Sequence, residues 1–211
     1  MFTLTQPSAA AIENQIAAAQ FLPADTPQFL SISHGLIPAQ LPFGFVHDRS
    51  RTRIGQGLNQ GQAAFAAAKR AFAQWAPFDL GWARVANPQA LVETGQIIAV
   101  EVQSLGLWTL SLSRITQTVD SATRFGFVYS TTRMHVEQGE ERFLIEFDPA
   151  TRDVWYDLEA VSRPRHPLAR IGYLVTRAFQ HRFARDSHRR MLEVLNARTG
   201  QHKFGDSRDF R

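Results

Sequence analysis

Six ionisable side chains lie close together in the segment 125–143, which is typical of a strand, a polar turn and a second strand. They are Tyr129, Arg133, His135, Glu137, Glu140 and Glu141. A hairpin that only faces water does not need so many different ionisable groups in one place. The segment therefore indicates where a functional site would lie, but it does not identify a reaction or a ligand.

His135 and Glu137 are two residues apart, so their side chains can face the same way on an extended chain. Such a pair could transfer protons, with Glu140 as a further carboxylate nearby, or supply two ligands to a metal ion. The sequence has no third ligand at a recognisable spacing, so we predict no metal site. The simplest alternative is a hairpin end that hydrogen bonds hold in place.

Strand alternation predicts a second polar pair. Arg114 has the same parity as the apolar residues Leu110 and Leu112, and Glu141 has the same parity as Phe143. Both charged side chains are therefore expected to point inward. A buried arginine needs a carboxylate, so we expect an Arg114–Glu141 ion pair. The pair would either fix the register of the sheet or anchor a ligand.

Other side chains could complete a binding site around this pair. Phe127 and Tyr129 share a strand face, where they either belong to the core or form a cavity wall with the Tyr129 hydroxyl as donor. Trp82 either packs a helix on the sheet or stacks on a ligand. Arg163 lies in Ser162–Pro164, a predicted cap and turn before the last helix, from which it could reach a ligand.

Composition narrows the class of protein. The chain has 211 residues, of which 44% are hydrophobic and 20% charged, as expected for a globular protein with one sizeable core. It has no cysteine, which excludes disulfides and thiolate metal ligands. There is no apolar run of roughly 18 residues that could span a membrane. The start of the chain also lacks the basic residues of a secretion signal, so we expect a cytoplasmic protein.

The charge of the chain is basic because arginine predominates. The net charge is +4 and the pI about 10.1, and Lys69 and Lys203 are the only lysines. This excess of positive charge is small, and no motif for nucleic-acid recognition accompanies it. We therefore predict no nucleic-acid partner. We also expect no cofactor. The sequence gives no indication of the oligomeric state.

The order of the elements predicts an α+β protein with a helix-grip fold, in which a curved antiparallel sheet wraps around a long C-terminal helix. The expected helices and strands are a helix at 7–20 capped by Ser8, a short strand at 43–48, a helix at 61–75, strands at 96–103, 108–119, 123–133, 141–147 and 153–161, and a last helix of about 30 residues. A curved sheet buries one face on that helix and leaves a cavity at one end.

Three parts of the chain follow from this order: an N-terminal helix with an irregular extension at 1–40, the helix-grip domain at 41–198, and a flexible tail at 199–211. The last helix should carry an apolar stripe. Its members are Leu168, Ile171, Val175, Ala178, Phe179 and Phe183.

Six motifs in a fixed order resemble the DUF1990 family, also called UPF0548. They are Gly55-Gln-Gly57, the helix from Phe65 to Trp75, Ser113-Arg114, Gly126-Phe-Val-Tyr129-Ser-Thr131, the run from His135 to Phe143, and Ser162-Arg163-Pro164. The resemblance covers roughly residues 40–192. It implies a helix-grip fold like that of the START and Bet v 1 (SRPBCC) superfamily, and no established activity. The chain departs from the family pattern at Ser113, where a cysteine is expected.

Three functions stay open at this point. The leading hypothesis is a binding module for a small hydrophobic or amphipathic ligand with a polar or anionic head. Its ligand-binding residues would be Arg114, Phe127, Tyr129, Glu141, Arg163 and Trp82. The alternative is a cyclase- or hydrolase-like enzyme that uses His135 and a neighbouring glutamate in the same cavity. The third is a structural or interaction protein whose interior is filled by side chains.

Overall fold

The computed structural model describes residues 2–55, 61–166 and 173–199. Eight strands and three α-helices lie within these ranges. They are β1 Phe2–Thr3, α1 Ala9–Ala19, β2 Val46–Gly55, α2 Gly61–Ala73, β3 Ala83–Val85, β4 Ile97–Ser104, β5 Leu107–Asp120, β6 Arg124–Thr131, β7 Glu137–Phe147, β8 Val154–Pro164 and α3 Tyr173–Thr199. Short 3₁₀ helices at Ile32–His34 and Ala76–Phe78 complete the described structure.

The strands form one sheet in the order β2-β8-β7-β6-β5-β4-β3, and β1 pairs with the first half of β5. Every neighbouring pair is antiparallel. Short connections join each strand to the next from β4 to β8. Such connections allow only antiparallel pairs, since a parallel pair needs a long crossover. The predicted meander is therefore confirmed.

The inner face of the sheet packs on α2 and α3, which confirms the predicted helix-grip fold. Phe72 of α2 and Tyr156 of β8 are fully buried there, with their rings edge to face and 5.3 Å between the centroids. Met191 and Leu195 add the second half of α3 to the same core. Around these residues, large apolar side chains fill the space between the sheet and the helices.

The outer face of the sheet is also covered. Ile12 and Ala19 of α1 pack on Ile97, Leu110 and other buried side chains of β4 and β5. The helix begins as predicted, because the Ser8 hydroxyl accepts a hydrogen bond from the Ala11 N–H at 3.2 Å. The segment between α1 and β2 covers the other end of the outer face, where Leu30, Ile32, Phe45 and Val161 form a further apolar cluster.

Two predicted elements differ from the structure. The strand expected at 43–48 is Val46–Gly55, which forms an edge of the sheet. From His47 to Arg53 its charged and polar side chains alternate between exposed and half-exposed, and only Ile54 near its end is buried. No apolar periodicity therefore marks its length. Ser162–Pro164 ends β8 rather than capping a helix, because Pro164 still pairs with Glu137 of β7.

The last helix is confirmed as a long helix, with Phe179 and Phe183 on the side that faces the sheet. Leu168, Ile171 and Gly57 lie outside the described residues, as does the predicted tail apart from Thr199. The division at residue 40 stays a prediction. No helix in the described ranges combines the length and the apolar character that a membrane crossing requires.

Candidate functional site

A cavity of about 550 Å³ lies between the inner face of the sheet and the first half of α3. This volume is within the range of small-molecule binding sites. Large apolar side chains form much of the wall, namely Phe78, Trp82, Val100, Val102, Leu158, Phe179 and Phe183. The lining residue Leu105 is 79% exposed and Val175 is 45% exposed, so the cavity opens to solvent near the β4–β5 turn and the start of α3.

The cavity exists because β5 places small or polar side chains on this part of the inner face. Thr109 and Ser111 point into the cavity, while the apolar residues of the same strand, Leu110 and Leu112, point outward under α1. At the opposite end of the sheet, aromatic side chains fill the corresponding space. The empty volume is thus encoded by the choice of side chains on one strand.

Tyr129 and Glu141 meet at the polar end of this cavity. They are direct partners across β6 and β7, and the Tyr129 hydroxyl donates a hydrogen bond to Glu141 Oε2. The Glu141 side chain is partly buried and lies in the cavity wall. Removal from water raises the pKa of Glu141 to about 7, although the Tyr129 hydrogen bond opposes this rise. Removal from water and the nearby Glu141 also raise the pKa of Tyr129 well above its usual value.

Glu137 adds a second carboxyl group to the polar end. Its Oε1 accepts a hydrogen bond from Gln180 Nε2 at 2.8 Å, and its Oε2 accepts one from Ser162 Oγ at 3.1 Å. Removal from water outweighs these hydrogen bonds and raises the pKa of Glu137. Glu137 is also a cause of the raised pKa of Glu141, because the two negative charges repel each other.

His135 lies in the cavity wall, but its side chain does not form the possible acid–base dyad with the Glu137 carboxylate. Its Nδ1 accepts a hydrogen bond from the backbone N–H of Glu137 at 3.0 Å, while the Glu137 carboxylate binds α3 and β8. Removal from water, together with the positive charge of Arg165, lowers the pKa of His135 to about 3. The ring is therefore neutral at physiological pH.

Close approach of the strands positions these residues. A Cβ atom on Gly126 would lie 2.1 Å from the Phe143 carbonyl oxygen, and one on Gly139 would lie 2.0 Å from the Val161 carbonyl oxygen. Both positions therefore need glycine. These glycines let β6, β7 and β8 approach closely on either side of Glu141.

The predicted Arg114–Glu141 ion pair is wrong. The Arg114 guanidinium lies on the outer face of the sheet and donates hydrogen bonds to four backbone carbonyl oxygens, those of Gly95 at 2.8 Å, Ala19 at 3.1 Å, Gln20 at 2.9 Å and Leu22 at 2.9 Å. Three of these carbonyls belong to the end of α1 and the residues that follow it. Arg114 therefore caps α1 at the end where unpaired carbonyls and the helix dipole favour a cation.

The error arises because β5 is buried on both faces over much of its length. Parity places Arg114 correctly on the side of Leu110 and Leu112. That side faces α1 instead of α3, and the alternation of a strand cannot show which of two covered faces is the inner one.

The two aromatic candidates have different positions. Phe127 belongs to the filled core, where its ring stacks on Phe143 at 5.0 Å and contacts Trp75 at 5.5 Å, and it does not line the cavity. Trp82 does line the cavity. Its indole N–H donates to Asp186 Oδ2 at 3.0 Å, which fixes the ring against the cavity wall.

Arg163 and Glu140 point to the outer face. The Arg163 guanidinium donates two hydrogen bonds to Gln138 Oε1, at 3.0 and 2.8 Å. The Glu140 carboxylate accepts hydrogen bonds from the Ile32 N–H at 2.9 Å and from Ser130 Oγ at 3.1 Å. Arg163 does not line the cavity. Glu140 borders the cavity, but both of its carboxylate oxygens already accept hydrogen bonds from the protein.

Sequence reasoning missed the contribution of α3 and β2. Gln180 reaches Glu137, 43 positions away in the chain, and no local signal predicts that contact. Asp48 lies in the cavity wall and forms a two-pronged ion pair with Arg177, of which one contact is 2.7 Å. The Arg177 hydrogen bonds lower the pKa of Asp48. This pair closes the cavity between β2 and α3.

Comparison with known proteins establishes the family. The family model described as "Domain of unknown function (DUF1990)" matches residues 33–190. The chain belongs to the DUF1990 family. A UPF0548 protein of Dictyostelium discoideum is 34% identical over 161 residues, covering 71% of this chain and 73% of that protein. A UPF0548 protein of Deinococcus radiodurans is 30% identical over 192 residues, covering 82% of this chain and 94% of the relative. The predicted family is confirmed.

Solved structures are similar to this DUF1990 protein in fold. The crystal structure of TTHA0849 from Thermus thermophilus aligns with a TM-score of 0.50 and 11% identity, covering 73% of this chain and 99% of that one. At this identity the likeness concerns the fold alone.

Across the described ranges, no three His, Asp or Glu side chains are grouped closely enough to hold a metal ion.

Proposed function

We propose that this DUF1990 protein binds a small amphipathic ligand in the cavity between the sheet and α3. The apolar body of the ligand would lie against Leu158, Phe179 and Phe183, and its polar group against Tyr129 and Glu141. The observation that carries the proposal is an apolar cavity of about 550 Å³ that ends at a carboxyl group without a basic partner among the described residues. A cavity of this size with few convergent polar groups is the usual form of a small-molecule site.

The energetic cost of this arrangement supports a binding function. A carboxyl group removed from water is unfavourable unless it is paired, and an unfilled cavity loses packing contacts. Neither feature helps the chain to fold. Shifted pKa values in a cleft are typical of functional sites, and Glu141, Glu137 and His135 all show them here.

A blocked cavity tests this proposal. Ala160 lies in the cavity wall, so Ala160→Phe should place a ring in the binding space and weaken the binding of a hydrophobic fluorescent probe at least about tenfold. Arg163→Ala changes the outer face of the same strand and should leave probe binding unchanged. Circular dichroism and thermal unfolding would verify that both variants fold.

Native mass spectrometry of the purified wild-type protein complements the probe. We expect a bound small molecule that organic extraction removes and that is reduced in Ala160→Phe. If the wild-type protein carries no small molecule and binds no hydrophobic probe, the proposal is wrong.

One observation favours a second function, an acid–base enzyme that uses the same cavity. A carboxyl group whose pKa is about 7 can both accept and release a proton at neutral pH. The proton-transferring group would then be Glu141 and not His135, whose pKa is about 3. A screen of apolar ester and cyclisation substrates should show turnover that Glu141→Gln abolishes while probe binding persists. Turnover that is equal in wild type and Glu141→Gln would exclude this role.

A further inference from the structure

The polar end of the cavity offers acceptors and neutral groups to a ligand, and no unpaired cation among the described residues. Glu137 and Glu141 supply carboxyl groups there. Tyr129 and Ser162 add hydroxyl groups, Gln180 adds an amide and His135 adds its ring. None of these carries a positive charge at physiological pH, because the His135 ring is neutral.

The arginines that could have balanced the carboxyl groups are engaged elsewhere. Arg177 forms its two-pronged pair with Asp48. Arg49, which also borders the cavity, is paired with the fully buried Asp157. Arg114 caps α1 on the outer face, and Arg163 binds Gln138 on the same side. An anionic head group would therefore face two carboxyl groups without a compensating charge, which is strongly unfavourable away from bulk water.

Glu141 has hydrogen-bonding capacity that the described protein does not use. The Tyr129 hydroxyl donates to Oε2, whereas Oε1 accepts no hydrogen bond from the described residues. Glu137 differs in this respect, because both of its oxygens already accept from side chains of α3 and β8. The free acceptor of the site is thus Glu141 Oε1, in a residue that lines the cavity.

We propose that the cavity selects amphipathic amines, whose protonated amino group binds Glu141 Oε1 beside Glu137, and that it excludes the corresponding carboxylates. This inference rests on the proposed function and names the ligand class of the same site. Of the polar or anionic head groups that the sequence suggested, it excludes the anionic ones, since both arginines that could hold an anion lie outside the cavity.

The electrostatics of the site agree with this ligand class. A carboxyl group whose pKa is raised by removal from water and by nearby negative charges ionises readily once a cation is placed next to it. A protonated amine supplies that charge together with hydrogen-bond donors, and the resulting bond is charge-assisted. Amine binding near pH 6 should therefore release a proton from Glu141.

Other titratable groups near Glu141 do not provide this cation. From the neighbouring elements, the groups concerned are Tyr129 of β6, Tyr156 of β8, Asp48 of β2, Arg177 and His181 of α3, and Glu137 of its own strand. Arg177 is already paired with Asp48, and His181 Nε2 lies 3.2 Å from Arg177 Nη2. Both tyrosines are neutral at physiological pH.

Three ligands of equal chain length test the inference. Decylamine, decanol and decanoate, each below its micelle concentration, would compete with a hydrophobic fluorescent probe at pH 8. Wild type should bind decylamine at least about tenfold more tightly than decanoate, and more tightly than decanol. Glu141→Gln should lose at least about fivefold of its decylamine affinity and keep its decanol affinity.

Glu146→Gln is the matched control, because Glu146 lies on the same strand but faces outward, where it pairs with Arg51 and Arg124. It should retain the wild-type preference for the amine. The wild-type protein provides a second measurement that needs no variant. Its decylamine affinity should increase between pH 6 and pH 8, while its decanol affinity stays constant.

The outcomes separate this inference from the proposed function. If decanol or decanoate binds as tightly as decylamine, the cavity binds ligands but the amine preference is wrong. If the preference persists in Glu141→Gln, Glu141 is not the group that recognises the amine. If wild type binds neither the probe nor any of the three ligands, the proposed function fails as well.

Discussion

Glu140 and Glu141 are adjacent residues of β7 with opposite environments. Glu140 points to the outer face, is 7% exposed, and accepts hydrogen bonds from the Ile32 N–H and from Ser130 Oγ. Glu141 points into the cavity and has a single side-chain partner among the described residues, Tyr129. The same side-chain type is therefore part of the framework on one face and an incompletely satisfied group on the other.

The two faces of the sheet show the same contrast more widely. On the outer face, the fully buried Asp157 is paired with Arg49 and with Arg142, and Arg114 is surrounded by carbonyl oxygens. On the inner face, Glu137 and Glu141 have only neutral partners. The buried charges of the outer face have partners of opposite charge or polarity, which offset the cost of their burial. Those of the cavity reduce stability, which is the usual property of a site kept for a ligand.

The largest effect is expected for Glu140→Ala. This change leaves the Ile32 N–H and the Ser130 hydroxyl without their acceptor beneath the segment that covers the outer face. We expect the free energy of unfolding to fall by about 3–4 kcal/mol. Urea denaturation at pH 7 would measure it. A loss smaller than that of Glu141→Ala would contradict the assignment of Glu140 to the framework.

Arg114→Ala should have the next largest effect. It removes donors to the carbonyls at the end of α1, and we expect a loss of about 2–3 kcal/mol together with faster amide exchange at 19–22. The affinity for a cavity probe should not change, because Arg114 lies on the opposite face. A large loss of probe affinity in a folded Arg114→Ala protein would restore the original prediction that this arginine holds a ligand.

The strands β7 and β5 show what the alternation of apolar and polar residues along a strand can and cannot determine. The pattern of Phe143, Ile145 and Phe147 identifies the inner face of β7 correctly, because the outer side of that strand is polar except at Leu144. On β5 both sides are covered, so the same reasoning assigns Arg114 to the correct side of the strand and the wrong side of the molecule.

The remaining errors concern contacts between distant parts of the chain. Most of β2 escapes prediction because an edge strand with polar side chains has no apolar rhythm. The contact of Gln180 with Glu137 depends on how α3 lies over the sheet, and this is decided by packing between elements. A helix-grip fold is enough to predict where the cavity lies. The polarity of the cavity at Tyr129 and Glu141 depends on contacts between distant residues, which the fold does not specify.

Glu141→Gln should stabilise the protein at high pH. The carboxyl group has a pKa of about 7 in the folded state, against about 4.5 when unfolded, so the folded state holds the proton more tightly. Stability should therefore fall as the pH rises from about 4.5 to 7, and the variant should lack this decrease. We expect Glu141→Gln to be about 1–2 kcal/mol more stable than wild type at pH 8, and similar at pH 4.5.

Thermal unfolding at both pH values, with Glu146→Gln as control, would measure this difference. Equal pH dependence in wild type and Glu141→Gln would show that Glu141 has an ordinary environment.

A smaller effect of opposite sign is expected for His135→Asn. The folded state keeps the ring neutral because its pKa is about 3, while the unfolded state takes up a proton below about 6.5. The contribution of His135 to stability is therefore fully present above pH 6.5 and is lost as the pH falls toward 3. The substituted asparagine would not titrate, and its amide oxygen could still accept from the Glu137 N–H.

When the pH is lowered from 7.5 to 5.5, the free energy of unfolding of wild type should therefore fall by about 1 kcal/mol more than that of His135→Asn. Denaturant titrations at the two pH values would detect this. If the variant loses as much as wild type, His135 is accessible to protons in the folded state.

The most direct test of the account is the titration of the Glu141 carboxyl group, followed by carbon NMR with Glu141→Gln to assign the signal. In the unliganded protein we predict a pKa of about 7. With saturating decylamine it should fall to about 6 or below, since the bound cation favours the carboxylate. A pKa near the ordinary value of about 4.5 that decylamine leaves unchanged would contradict the claim that Glu141 is the uncompensated, ligand-binding carboxyl group of the cavity.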